Sequence, residues 1–470
     1  MTRLGLRHGV RRIAPLAWPV FVGQVAVIAF STVDTVMVAR TTATDLAALA
    51  VGASVYISIF VGFMGTVLAV GPIAGQLYGA GKLQESGHEA QQAMWLALVL
   101  AVPGCLLLLV PDPFIALARA EPAVAAKVRD YLHGLAFALP PALVFTAYRG
   151  FNVAVSRPKA VMAMQIGGLA LKVPVNAVLV FGVAWQTPLG ELRVPALGVA
   201  GCGVATAIVM ACQLAAAVLV LRIDPFYRRF GLGRGARIAP PRRSSLAALL
   251  RLGVPMGLAV LVEVTGFTFM AFFVSRIGAT AVAGHQIAAN MVSMMFMLPL
   301  AIANASSTLV AQRVGADDAV DARRIGWVGL EIGVVVAAVL GTTVYLLREE
   351  VIGLYTANPV IVAAALPLLA WVALFHIADA AQTIAAFVLR AYRIATVPLL
   401  IYVVALWGIG LGGGYLMAFD PLGISPAWMH SARGFWSMST LGLAIAGASL
   451  TTFLATRLRR DAKAAPAAPP

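Results

Sequence analysis

Long apolar runs, separated by short stretches that collect the Arg, Lys, Asp, Glu, Pro and Gly residues, repeat along almost the whole chain. A helix needs about 20 predominantly apolar residues to cross a bilayer. Twelve runs meet that length: 14–38, 47–70, 93–112, 130–150, 160–184, 196–221, 248–274, 281–306, 325–347, 362–389, 395–419 and 434–456. Pro111-Asp112-Pro113 makes a tight connection after the third. The first run follows a basic stretch, Met1 to Arg12, but shows no small-x-small cleavage site, so it reads as a membrane helix and not as a leader. The longest polar gap, 222–247, carries Asp224-Pro225, Arg228, Arg229, three glycines and Pro240-Pro241, and divides six runs from six. The expected organisation is an N-terminal six-helix lobe over 14–221, a basic linker over 222–247, a C-terminal six-helix lobe over 248–456, and an Ala/Pro-rich disordered tail over 457–470.

Composition removes the soluble alternative. Of 470 residues, 61% are apolar and 11% charged, with a mean hydropathy of +0.91; soluble domains carry about 25% charged residues. The net charge of +15 predicts no nucleic-acid partner, because the basic residues lie in short inter-helix gaps. They read as topology signals. With both termini inside, 25 Lys and Arg fall in inside segments and eight outside, which predicts cytoplasmic termini. Cys105, Cys202 and Cys212 fall within apolar runs as small core residues. No Walker loop, zinc motif or catalytic triad is present, and the gaps are too short for a nucleotide-binding domain. The chain therefore reads as no enzyme, and any uphill work must draw on an ion gradient.

Sliding the chain by 236 residues superimposes Pro19 on Pro255, Thr32 on Thr268, Arg40 on Arg276, Gln76 on Gln312 and Gly79 on Gly315. Fourteen of 65 positions from Leu16 to Ala80 agree without a gap. Six spans per half bring both halves in from the same side. The repeat is therefore parallel, about an axis along the membrane normal.

Three carboxylates lie well inside predicted spans: Asp34, Glu263 and Asp379. A carboxylate at a helix centre costs about 2.5–3.5 kcal/mol on insertion scales, so such groups face a cavity or a partner and are candidate proton carriers. Under the repeat Asp34 aligns with Met270, and Glu263 with Val27, so each half has its carboxylate at a different depth. Lys172 is the one deep basic residue, with Asn176 one turn on along the same face. Two readings stand for Lys172: an ion pair that ties helices together, or membership of a polar cavity in the N-terminal half. Met291, Met294, Met295 and Met297 make the eighth span rich in thioethers, which suit either core filling or promiscuous apolar binding.

Several segments carry a family resemblance. The first span, Trp18-Pro19 through Val33-Asp34-Thr35 to Arg40, and Pro72 to Gly81 resemble the multidrug and toxic compound extrusion (MATE) family. So do Pro174-Val175-Asn176, Gly201 to Ala207, Gly253-Val254-Pro255-Met256-Gly257 with Glu263, Ala283 to Ile287, Phe296 to Pro299 and Arg313-Val314-Gly315. The likeness covers roughly 14–456 and is nearest the bacterial NorM-type branch. It implies an all-α protein of twelve spans in two six-helix lobes around a cleft. It also implies cation-coupled antiport of amphipathic, often cationic drugs out of the cytoplasm, by a multi-pass protein of the bacterial inner membrane. The family's coupling carboxylates map onto Asp34, Glu263 and Asp379; Lys172, Asn176, Phe375, Gln382, Met291 and Met295 are expected to support the cavity. Two departures stand out: Lys172 where the branch commonly has asparagine, and Phe375 where a tyrosine is often found. Both remove an oxygen, and the ammonium repels sodium, so the expected coupling ion is H+ over Na+. Were the ion sodium, Glu263 and Asp379 would hold it. No other cofactor is expected, and the protein is expected to act as a monomer. The alternative is a lipid-linked oligosaccharide flippase of the same superfamily. Such proteins line their cleft with basic residues; here one deep lysine faces three acids.

Overall fold

A computed structural model describes residues 3–118, 121–187 and 190–464 of the chain. The helices are α1 (Arg3–Val38), α2 (Ala43–Val67), α3 (Val70–Gly79), α4 (Leu83–Leu109), α5 (Asp112–Ala118), α6 (Pro122–Ala154), α7 (Pro158–Phe181), α8 (Val199–Ile223), α9 (Arg243–Ser275), α10 (Ala279–Gly315), α11 (Ala319–Leu346), α12 (Arg348–Gly353), α13 (Pro359–Ala391), α14 (Thr396–Tyr402), α15 (Gly414–Phe419) and α16 (Ala432–Ala464). Twelve helical spans among the described residues are long and apolar enough to cross a membrane, one for each expected run.

The departures from the expected pattern have physical causes. The second span runs on to Gly79, because Pro72 falls in the first turn of α3, where a missing N–H costs nothing. A two-stranded hairpin, β1 (Val183–Thr187) and β2 (Gly190–Val194), pairs Val183 with Val194 and Thr187 with Gly190 in the connection after α7. In the eleventh span, Val403–Gly413 winds as a π-helix between α14 and α15. The last helix continues to Ala464, into the stretch expected as a disordered tail, since Ala, Arg and Lys sustain a helix beyond the apolar run. The remainder of that tail, 465–470, lies outside the described residues.

Packing divides the chain into two units, 22–257 and 258–470 together with 1–21, so the divisions fall inside α1 and α9. In the first, Asp45 binds three elements at one point. Its carboxylate accepts from Thr42 Oγ1 (2.6 Å) and Val199 N (3.3 Å) and pairs with Lys127 Nζ (2.9 Å). Gly198, at φ +56° and with a Cβ position only 2.9 Å from Asp45 Oδ1, is the residue that lets α8 begin there. In the second unit, Ile13 and Ala17 of α1 pack into an apolar core with Ile302, Ile325 and Ile384, and Arg12 binds both oxygens of Asp321 at 2.9 and 2.8 Å.

The stretch 222–247, expected as a linker, is itself folded against α4. Asp224 caps a 3-10 turn (Pro225–Phe230) and pairs with Arg157 at 2.6 Å. Tyr227 donates to Asn152 Oδ1 at 2.6 Å, and burial raises its phenol above the ordinary value, which keeps it a donor. A Cβ on Gly87 of α4 would stand 1.9 Å from the Phe230 carbonyl oxygen. Gly87→Ala is therefore expected to lower stability by about 1–3 kcal/mol, the usual cost of overpacking. It should also speed tryptic cleavage at Arg228 and Arg229; unchanged digestion and melting would show that this turn does not rest on α4.

Candidate functional site

In the unit 22–257, three helix faces meet. Asp34 shares the buried face of α1 with Gly23, Ala26, Phe30 and Val38, a spacing of three or four residues. Gln165, Gly168, Lys172 and Asn176 form the corresponding polar stripe of α7. Glycines bring α8 close: a Cβ at Gly201 would lie 2.5 Å from Leu179 O, and one at Gly203 2.6 Å from Tyr131 O. Cys202 and Thr206 thereby reach Lys172. The ammonium lies 2.9 Å from Asp34 Oδ1, donates to Thr206 Oγ1 at 2.5 Å, and stands 3.5 Å from Cys202 O. Asn176 Nδ2 donates to the same Asp34 oxygen at 2.9 Å. Lys172 and Asn176 are fully buried, and Asn176 Oδ1 has no hydrogen-bond partner. Of the two readings of Lys172, the ion pair is formed. Its charge is neutralised internally, and the ammonium occupies the place beside Asp34 that a free cation would need.

In the unit holding 258–470, Glu263 shares a face of α9 with Gly266, Phe267 and Met270, at helical spacing. These face Phe375 and Asp379 of α13 across a cavity lined also by Leu406 and Leu411 of the π-helical segment and by Ser439 and Leu443 of α16. Trp407 Nε1 donates to Val262 O at 3.0 Å and pins the π-helical segment to α9. The walls are otherwise apolar, with Phe375 edge-on to Phe267 (5.7 Å) and Trp436 (5.5 Å). Two carboxylates in one apolar cavity each act on the other's charge.

Behind Asp379 lies a chain of polar groups. Tyr402 OH donates to Gln382 Oε1, so the amide presents its nitrogen to Asp379 Oδ1 and to Thr383 Oγ1, both at 2.9 Å. Arg390, seven residues beyond Thr383 on the same helix, is buried over the Phe387 ring (4.3 Å), and its charge acts on Glu263. His376 is fully buried with both ring nitrogens free of hydrogen-bond partners.

The expected residues thus separate. Glu263, Asp379 and Phe375 line one cavity with Gln382 behind Asp379, whereas Asp34, Lys172 and Asn176 belong to the other unit. Met291 and Met295, expected in a cavity, instead belong to the apolar packing around Val292, Val372 and Phe375. The methionine that lines the cavity is Met270, the repeat partner of Asp34. Thr206, Tyr402, His376 and the burial of Arg390 went unread. Arg390 was countable only as an inside charge, yet its place at i+11 from Asp379 puts it three turns along one face. Among the described residues no group of three or more His, Cys, Asp or Glu is placed to hold a metal ion.

Twelve apolar spans with ionisable groups buried inside them define a polytopic helical membrane transporter. The MatE family model matches residues 19–178 and 255–416, and the chain belongs to that family, in its bacterial NorM-type branch. It is 38% identical over 444 residues to a probable multidrug resistance protein NorM of Aromatoleum aromaticum, covering 94% of this chain and 93% of that one. It is 32% identical over 458 residues to multidrug resistance protein PmpM of Pseudomonas aeruginosa, covering 97% and 93%. The fold is similar to the Vibrio cholerae MATE transporter VcmN in its bent form, with a TM-score of 0.83 at 17% identity over 98% of this chain and 99% of that one. It is also similar to the eukaryotic MATE transporter AtDTX14, with a TM-score of 0.84 at 18% identity over 97% and 99%.

Proposed function

We propose that the protein exports amphipathic, cationic drugs from the cytoplasm across the bacterial inner membrane by alternating access, in exchange for protons, with both termini cytoplasmic. The observation that carries this reading is the pairing of Glu263 and Asp379 in one apolar-walled cavity. Ionised, the pair attracts a cation whose hydrophobic body the walls accept; protonated, it gives up that attraction and releases the drug outside. The relatives named for multidrug resistance support the substrate class.

Proton over sodium follows from the donors. Sodium, a hard cation, requires a shell of oxygens. Asp379 receives an amide N–H from Gln382, Phe375 offers no oxygen, and in the other unit an ammonium already lies against Asp34. Proteoliposomes loaded with a fluorescent drug cation test the assignment. A pH gradient alone is expected to drive transport and a sodium gradient alone to leave the drug in place. Transport on sodium alone would overturn the coupling ion; transport under neither gradient would reopen the flippase alternative.

A further inference from the structure

The folded stretch between α8 and α9 presents a feature that transport of a drug does not use. Arg228, Arg229, Arg234, Arg237, Arg242 and Arg243 are all exposed. The one acidic residue of 222–247, Asp224, is already paired with Arg157, and the nearby Glu89 accepts from Ser245 at 2.7 Å. Arg229 rests its guanidinium over Phe226 (4.3 Å) and is held in place; the others carry no ion pair.

The backbone that carries them is fixed. Gln92 of α4 donates to Pro240 O (2.9 Å) and accepts from Arg242 N (2.7 Å), Gln91 accepts from Ala239 N (2.9 Å), and Trp95 Nε1 donates to Ala239 O (3.0 Å). Trp95 stands where the apolar part of α4 begins, the level at which tryptophans sit in membrane proteins. The carbonyl it binds thus lies beside the point where α4 passes from polar to apolar sequence. Next to it Ile238 is 64% exposed, an apolar side chain amid arginines. The segment starts and ends at membrane spans, so it borders the bilayer whichever way the chain is inserted.

We infer that this surface is a docking site for anionic lipid, with arginines taking the phosphates of phosphatidylglycerol or cardiolipin and Ile238 reaching the acyl boundary. A cluster of four to eight basic residues beside a membrane helix is the pattern that anionic headgroups recognise, and arginine binds phosphate through two parallel N–H donors. Scattered loop arginines would serve topology equally well. They would not require a backbone locked by two glutamines and a tryptophan.

The test is native mass spectrometry of the full chain, delipidated and then exposed to cardiolipin, phosphatidylglycerol or phosphatidylcholine. The combined variant Arg228→Gln, Arg234→Gln, Arg237→Gln and Arg243→Gln is expected to retain at least about tenfold less cardiolipin and phosphatidylglycerol, with phosphatidylcholine unchanged. These side chains make no ion pair, so melting in detergent should stay at the wild-type value, and Ile238→Ser should weaken lipid retention alone. A control carrying Arg323→Gln and Arg324→Gln should hold lipid as wild type does. Equal lipid retention by the four-fold variant and wild type would overturn the inference. So would displacement of cardiolipin by inorganic phosphate at the same charge concentration, which would make the site one for soluble anions.

Discussion

Asp379→Asn is expected to abolish drug efflux and leave the protein folded. The amide keeps the shape of the carboxylate and still offers an oxygen to Gln382 Nε2, now 2.9 Å away. What it removes is a charge buried in an apolar cavity, whose presence costs about 2.5–3.5 kcal/mol at a helix centre, so thermal stability should hold or rise. Initial efflux rates in proteoliposomes should fall more than about tenfold, and the double variant with Glu263→Gln should do no further harm, because groups acting as a unit are not additive. A variant retaining half the wild-type rate would remove Asp379 from the mechanism.

The second large effect lies in the other unit. Lys172→Met takes away the ammonium at 2.9 Å and leaves the Asp34 carboxylate buried with the neutral Asn176 amide as a donor. Breaking a buried pair on one side costs roughly 3–5 kcal/mol, whereas replacing both partners with neutral groups is often neutral or stabilising. The double variant Asp34→Asn with Lys172→Met should therefore recover most of what the single variant loses. Melting of the four proteins closes a double-mutant cycle. Additive effects in that cycle would show that the pair carries no coupling energy.

Much of this architecture is legible in the chain. Twelve apolar runs announce twelve spans because a bilayer demands length and apolarity together. Asp34, Glu263 and Asp379 stand out for the same reason in reverse: a charge in such a run needs a purpose or a partner. What was not legible depends on direction within a helix. Where a span is apolar all round, periodicity cannot say which face is inward, so Met291 and Met295 could not be told from Met270. The Tyr402–Gln382 contact joins residues on either side of a chain reversal, and Thr206 reaches Lys172 only because Gly201 and Gly203 let α8 approach. The folding of 222–247 rests on glutamines of α4 some 150 residues upstream, which no local pattern connects to it.

The π-helical winding of Val403–Gly413 makes one wall of the cavity depend on chain length as much as on side-chain identity. In a π turn each N–H reaches one residue farther back than in an α turn. Deleting a single residue there, Gly408 for instance, would let the segment relax to ordinary winding. Everything after it would then turn by about 100°. Tyr415 and Phe419 would swing away from Phe273 and Phe435, which they now meet at 5.2 and 6.1 Å. Every cavity-lining side chain would still be encoded, yet the register that aims them would be gone. Substitution scans alone would miss this sensitivity; one-codon deletions would reveal it.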